Sequence, residues 1–212
     1  MEFKCIIFDS DGVLVDSETL SAKVFQEMAM ELGFELDFET AVECFAGTSM
    51  KENLLLIGEN IQGSLPVDFE KEFRARTYEV FKTDLKAVHG IHELIEKLGI
   101  PFCVASSGPV EKIRLNLGLV NLLDHFENKI YSSYDIGSWK PDPGIFLHAA
   151  KKMGFEPEEC AVIEDSASGI RAAIAGGFKV YALANEKKKK TFEQLGAIAF
   201  ENMKELEKLL AL

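Results

Sequence analysis

The chain has 212 residues, a formal net charge of −12 and a mean hydropathy of +0.03, as expected of a soluble globular protein. Such acidity argues against non-specific nucleic-acid binding, although a local cationic pocket can still take an anion. No apolar run is long enough to span a bilayer and no secretory leader is read, so a cytoplasmic protein with no membrane partner is expected. Cys5, Cys44, Cys103 and Cys160 are scattered and form no Cys-x-x-Cys pair, which favours reduced thiols over disulfides or zinc.

The first element is a strand over residues 5–8, short, apolar and rich in β-branched residues. It runs straight into Asp9-Ser10-Asp11-Gly12. Two carboxylates that close repel, and a divalent cation with oxygen ligands is the usual way to hold them together. Residues 17–32, 39–44, 50–59 and 68–83 then read as helices only, with no strand between them. A helical block from about 16 to 85 therefore interrupts an α/β chain, with residues 1–15 and 86–212 forming the α/β part. Its placement after the first strand suggests a cap over the sheet's carboxyl edge, where ligands bind in open α/β sheets.

Further strands are expected at 101–105, 129–131, 160–163 and 179–183. Between them Ile91, Leu94, Ile95 and Leu98 repeat at helical spacing, as do Ile145, Phe146, Ala149, Ala150 and Met153. Each pattern closes on a glycine, Gly99 or Gly154, and a third helix over 169–175 ends at Gly176-Gly177. Strands alternating with helices predict a parallel sheet covered on both faces. His89, His92, His125 and His148 have no ligand-spaced neighbours and read as surface or interface residues. Trp139 reads as a loop anchor, and the basic run 187–190 as a solvated face.

Polar clusters follow the strands: Asp9 and Asp11, then Ser106 and Ser107, then Glu164 and Asp165. In a parallel sheet those ends converge, so four carboxylates and two hydroxyls would share one crevice. Lys140, in Ser138-Trp139-Lys140-Pro141-Asp142-Pro143, sits on a loop stiffened by two prolines and could be aimed inward at a phosphate. Taken singly, Asp9 could be a turn residue, Ser106 a helix cap, Asp165-Ser166 an N-cap and Lys140 a surface lysine. Their joint order is harder to explain as caps.

That set resembles the haloacid dehalogenase-like hydrolases, in the phosphatase and phosphomutase branch with a small helical cap, over the whole chain. The resemblance implies a Rossmann-like parallel sheet with an inserted helical cap. It implies that Asp9 accepts the phosphoryl group as an aspartyl-phosphate and that Asp11 is the general acid and base. Ser106, Lys140 and backbone N–H groups around Ser107 and Gly108 would hold the phosphoryl oxygens. Mg²⁺ would be bound by Asp9, the Asp11 carbonyl and Asp165, with Glu164 as ligand or neighbour.

An Asp at position 11 favours phosphoryl over dehalogenase chemistry. β-Phosphoglucomutase relatives carry a His where this chain has Ser21, and basic residues around a cap glycine, where this chain reads Phe45-Ala46-Gly47-Thr48-Ser49-Met50. Hydrolysis is therefore favoured over a mutase, and both over a non-catalytic phospho-ligand sensor. The stretches 104–110 and 134–143 look most like bacterial sugar-phosphate phosphatases. They imply a small phosphorylated substrate, a sugar phosphate or phosphosugar acid such as 6-phosphogluconate, handled by a monomer. Arg74, on a helix of the insertion, could reach a substrate carboxylate, or lie on a solvated face beside Glu72.

Overall fold

The structure is a computed structural model that describes residues 3–48 and 50–212. Ser49, within the 45–50 stretch, lies outside the described residues. The chain forms two compact units, one up to Val15 and again Ala87–Leu212, the other Asp16–Lys86. Strand β1 (Cys5–Phe8) opens the first unit and is wholly buried.

The second unit is helical: α1 (Glu18–Glu31), α2 (Phe38–Phe45), α3 (Met50–Asn60) and α4 (Phe69–Asp84). Its interior is built from Phe25, Met28, Ala29, Ala41, Phe45, Ile57, Phe69 and Phe73. Phe25 and Phe73 stack with ring centroids 3.7 Å apart. Asp37 caps α2 by accepting from Thr40 N at 2.9 Å. The polar residues of α4 pair on the surface, Arg74 with Glu70 and Arg76 with both Glu72 and Glu31.

After α5 (Ile91–Lys97) come β2 (Phe102–Ser106), α6 (Val110–Leu119), α7 (Leu123–Phe126), β3 (Ile130–Ser132) and α8 (Ser133–Ile136). Then follow α9 (Gly144–Met153), β4 (Cys160–Glu164), α10 (Ala167–Ala175), β5 (Lys179–Leu183), α11 (Glu186–Gln194), β6 (Ile198–Phe200) and α12 (Met203–Leu210). All six strands are parallel in the order β3-β2-β1-β4-β5-β6. This is the expected Rossmann-like α/β sheet. Successive β1 side chains serve opposite faces. Cys5 and Ile7 join Ile145, Phe146, Ala149, Ile170 and Ala173, whereas Phe8 meets Phe102 and Phe126 edge-on.

The strand order reverses at β1, with β2 on one side and β4 on the other, so the crevice outside their carboxyl ends is the natural ligand position. Two boundaries differ from expectation in a way that matters. Ser106 and Glu164 are the last residues of their strands, not the first beyond them. The β6 strand is absent from the sequence reading because three residues are too short a run to stand out. Cys5, Cys103 and Cys160 are free and buried. The basic run lies on α11, where Lys189 pairs with Glu201 at 3.1 Å. Trp139 packs edge-on against Tyr134 but remains 46% exposed, a weaker anchor than expected. Among the described residues no helix is long and apolar enough to cross a membrane.

Candidate active site

The pairing of β1 with β4 continues one residue past β1, where Asp9 N donates to Ile163 O at 2.9 Å. The chain then turns tightly, with Gly12 N bonded to Val15 O, and Leu14 N and Val15 N both bonded to Ser10 O. Gly12 adopts a φ of +75°, and a Cβ there would lie 1.9 Å from Asp165 Oδ2. Only glycine meets both demands, the left-handed backbone and the close approach of the Asp165 carboxylate. The turn thereby lets the Asp165 carboxylate close on the backbone between Asp11 and Val13, with Asp9 close to it.

Glu164, fully buried at the end of β4, has both oxygens engaged. Oε2 accepts from Asp165 N at 2.9 Å, Ser166 N at 3.0 Å and Ser166 Oγ at 2.9 Å, and Oε1 accepts from Lys140 Nζ at 2.6 Å. Ser166 Oγ in turn accepts from Gly169 N at 3.1 Å, so Ser166 is the cap of α10 and orients Glu164 with the same hydroxyl. A Cβ on Gly169 would sit 1.8 Å from Glu164 Oε1, which makes that glycine part of the carboxylate's seat. The N-cap alternative thus holds for Ser166.

Lys140 does point inward, its side chain only 5% exposed and its ammonium 4.9 Å from the centroid of Phe146. It donates to Glu164, whereas its 2.7 Å contact with Asp9 Oδ1 is an ion pair off the hydrogen-bonding direction. Asp9 Oδ1 is buried without a directed donor. Burial pushes the Asp9 carboxyl above the usual carboxylate range, the charge of Lys140 pulls it back, and Glu164 and Asp11 push it further up. For Lys140 burial acts downward, but the charges of Asp9 and Glu164 outweigh it and raise the ammonium's pKa.

The loop after β2 supplies the hydroxyl. Ser106, 2% exposed, accepts from Gly108 N at 3.1 Å, which leaves its own proton to be given elsewhere. Of the backbone N–H groups expected to face a phosphate, that of Gly108 is bonded to Ser106 in this structure. Ser132 Oγ, at the end of β3, donates to Gly108 O at 2.7 Å and ties the loop down. Ser107 lies in the same loop, half-buried.

One residue escaped the sequence reading. Lys112, in the first turn of α6, has its Nζ 2.7 Å from Asp11 Oδ2. The available signal was a lysine at the wrong end of a helix, where the dipole disfavours a cation. Arg74 belongs to the helical unit and makes bonds of 3.0 and 2.6 Å to Glu70 Oε1 through Nε and its terminal nitrogen. Glu70, one turn away, is its partner, not Glu72, because residues two apart on a helix do not face each other.

Asp9, Glu164 and Asp165 each offer an oxygen within 4.8 Å of the others, the arrangement of a small oxygen-ligand cation site. Four carboxylates here face two lysines, which leaves an excess of two negative charges that one divalent cation would balance. The buried Asp9 carboxylate and the all-oxygen donor set fit a hard cation such as Mg²⁺.

Residues 3–177 match the model of the haloacid dehalogenase-like hydrolase family. The chain belongs to this family. Haloacid dehalogenase-like relatives agree along its length. The 6-phosphogluconate phosphatase of Escherichia coli strain K12 is 31% identical over 207 residues, covering 97% of this chain and 94% of that one. A haloacid dehalogenase-like protein from Agrobacterium tumefaciens superposes with a TM-score of 0.89 at 31% identity, covering 99% and 98% of the two chains. A family hydrolase from Deinococcus radiodurans, solved with bound phosphate and sodium, gives 0.84 at 29% identity, covering 99% and 96%. The chain is a phosphoric monoester hydrolase, the class of its phosphatase relatives.

Proposed function

We propose that the protein is a Mg²⁺-dependent phosphatase of a small phosphosugar or phosphosugar acid, working through an aspartyl-phosphate on Asp9. The observation that carries this reading is the carboxylate of Asp9. It is buried, lacks a directed donor on Oδ1, and lies beside Lys140, with Asp11 two residues on. A bound cation would be held by Asp9, Asp165 and the Asp11 carbonyl, with Glu164 beside them, and would screen the anionic phosphate from the anionic nucleophile.

In the first half-reaction an Asp9 oxygen attacks phosphorus and the bond to the leaving alkoxide breaks, while Asp11 gives that oxygen a proton to make the alcohol. In the second, Asp11 takes a proton from water as the water attacks phosphorus, the bond to Asp9 breaks, and inorganic phosphate leaves. Ser106 is placed to donate its hydroxyl proton to a phosphoryl oxygen, and Ser107 offers a further donor in that loop. Lys140 neutralises Asp9 and Glu164 at rest and would supply a cation to a phosphoryl oxygen.

The helical unit is read as the family's cap, with Arg74 as the group that selects a substrate carboxylate. The kinship to the E. coli enzyme makes 6-phosphogluconate the first substrate to try. The test is phosphate release from a panel of sugar phosphates and phosphosugar acids with Mg²⁺ or EDTA. Release that needs the metal and disappears in Asp9→Asn supports the reading. An Asp9→Asn variant as active as wild type would overturn it. Arg74→Ala should raise KM for the acid and leave the neutral sugar phosphate unchanged. Equal effects on both would remove Arg74 from the site.

A further inference from the structure

Lys112 has no assigned part in phosphoryl transfer, yet its position calls for an explanation. It stands at the third residue of α6, where the partial positive charge of the helix end repels an ammonium. A lysine confined there also loses side-chain freedom. Its side chain is 20% exposed and ends 2.7 Å from Asp11 Oδ2, itself on a side chain 24% exposed. The partners are 101 residues apart in sequence, so this is a tertiary contact and not a helical i,i+4 pair.

The aliphatic stem takes a defined route. A Cβ at position 108 would lie 3.5 Å from Lys112 Cδ and 3.5 Å from Ser106 Oγ. The stem therefore crosses the loop that presents Ser106, and its head reaches the carboxylate two residues beyond Asp9. Through this one side chain the position of Asp11 is referenced to the loop that offers the phosphate-binding hydroxyl. Asp11 opens the turn that closes on Val15, and its side chain is 24% exposed, so part of its rotamer range faces solvent. Proton transfer needs heavy atoms about 2.6–3.2 Å apart, so a free rotamer is a direct loss of rate.

We propose that Lys112 is a positioning residue that holds the Asp11 carboxylate in the rotamer from which it passes protons to the leaving group and from water. This rests on the reading of Asp11 as acid and base. Lys112 stays an ammonium throughout and transfers no proton itself. Lys140 holds the nucleophile's side of the crevice and Lys112 the acid–base side.

The experiment compares Lys112→Met and Lys112→Arg, each with Asp11 present and in an Asp11→Asn background. The substrates are a sugar phosphate and 2,4-dinitrophenyl phosphate, whose leaving group needs no proton. Lys112→Met should lower kcat on the sugar phosphate about ten- to a hundredfold with KM little changed, a fraction of the 10²–10⁴ that general acid–base catalysis supplies. The single-turnover burst of dinitrophenol should stay near wild type, Lys112→Arg should recover most of the rate, and Asp11→Asn should lose nothing further. A raised KM at constant kcat, or the same fold-loss in both backgrounds, would overturn the proposal.

A second measurement needs no turnover. The ¹⁵N-edited signal of the Lys112 ammonium, assigned by its loss in Lys112→Met, should be slowed in exchange by the ion pair and broaden away in Asp11→Asn. A signal indifferent to Asp11→Asn would refute the pairing. Wild-type protein inactive on every phosphate ester would sink the phosphatase reading, and the ammonium signal would still judge the pair.

Discussion

The two units of this chain differ in whether they bury charge. The α/β unit does so at its crevice, as at Glu164, whose oxygens accept four hydrogen bonds with no exposure to solvent. In the helical unit the interior is mainly aromatic and aliphatic, its buried polar residues such as Asn53 and Thr77 carry no charge, and the ion pairs of Arg74, Arg76 and Lys82 lie on the surface. A buried carboxylate network demands exact neighbours, because any donor withdrawn leaves an uncompensated charge. An aromatic interior demands volume. The first arrangement suits chemistry, and the second suits an element whose task is shape.

The contrast can be tested most severely at Gly169. Alanine there must displace Glu164, whose oxygen lies 1.8 Å from the added carbon. Breaking a buried charge network costs about 3–5 kcal/mol, so Gly169→Ala should lower the Tm sharply and remove phosphate release. A stable, active Gly169→Ala would show that the network tolerates slack. Next in size is Phe73→Ala, which empties one side of the Phe25 stack in the helical unit. The expected loss is about 3–5 kcal/mol in denaturant unfolding, shared by one transition if the units unfold together and confined to the helical unit's own transition if it unfolds alone.

The smallest effect is a difference in pH dependence, and its sign separates the two regions. Asp9 has its carboxyl raised, first by burial, so in the metal-free protein the folded state keeps a proton that the unfolded state has lost. Stability falls as pH rises from the ordinary carboxylate pKa through the raised one, and Asp9→Asn should gain on wild type over that window in EDTA. Asp37 has its carboxyl lowered, first by the backbone N–H of Thr40, so its contribution is present above the ordinary carboxylate pKa and is lost as pH falls. Asp37→Asn should therefore lose ground to wild type as pH rises from about 2 to 5, the range around a normal carboxylate. Thermal melts of the three proteins across pH would settle both signs, and parallel curves would erase the distinction.

Much of the chemistry was legible before any coordinates. Asp9, Asp11, Ser106, Glu164 and Asp165 stand out because parallel strands must deliver their final residues to one edge, and Lys140 stands out because two prolines stiffen its loop. The alternation of apolar runs and helical patterns likewise determined a doubly covered sheet with a helical interruption. The partners of those residues were not legible. That Lys112 reaches Asp11, that Ser166 caps a helix and orients Glu164 at once, and that Ser132 fastens the Ser106 loop depend on contacts between segments far apart in the chain. The sequence reading placed Arg74 beside Glu72 on a solvated face, and the ion pair it makes is with Glu70, one turn away. A one-dimensional pattern reports which side chains a segment must bury and where it must turn. Which donor meets which acceptor across the sheet edge is decided by packing in three dimensions, where Gly12 and Gly169 leave room for a carboxylate and no larger residue would.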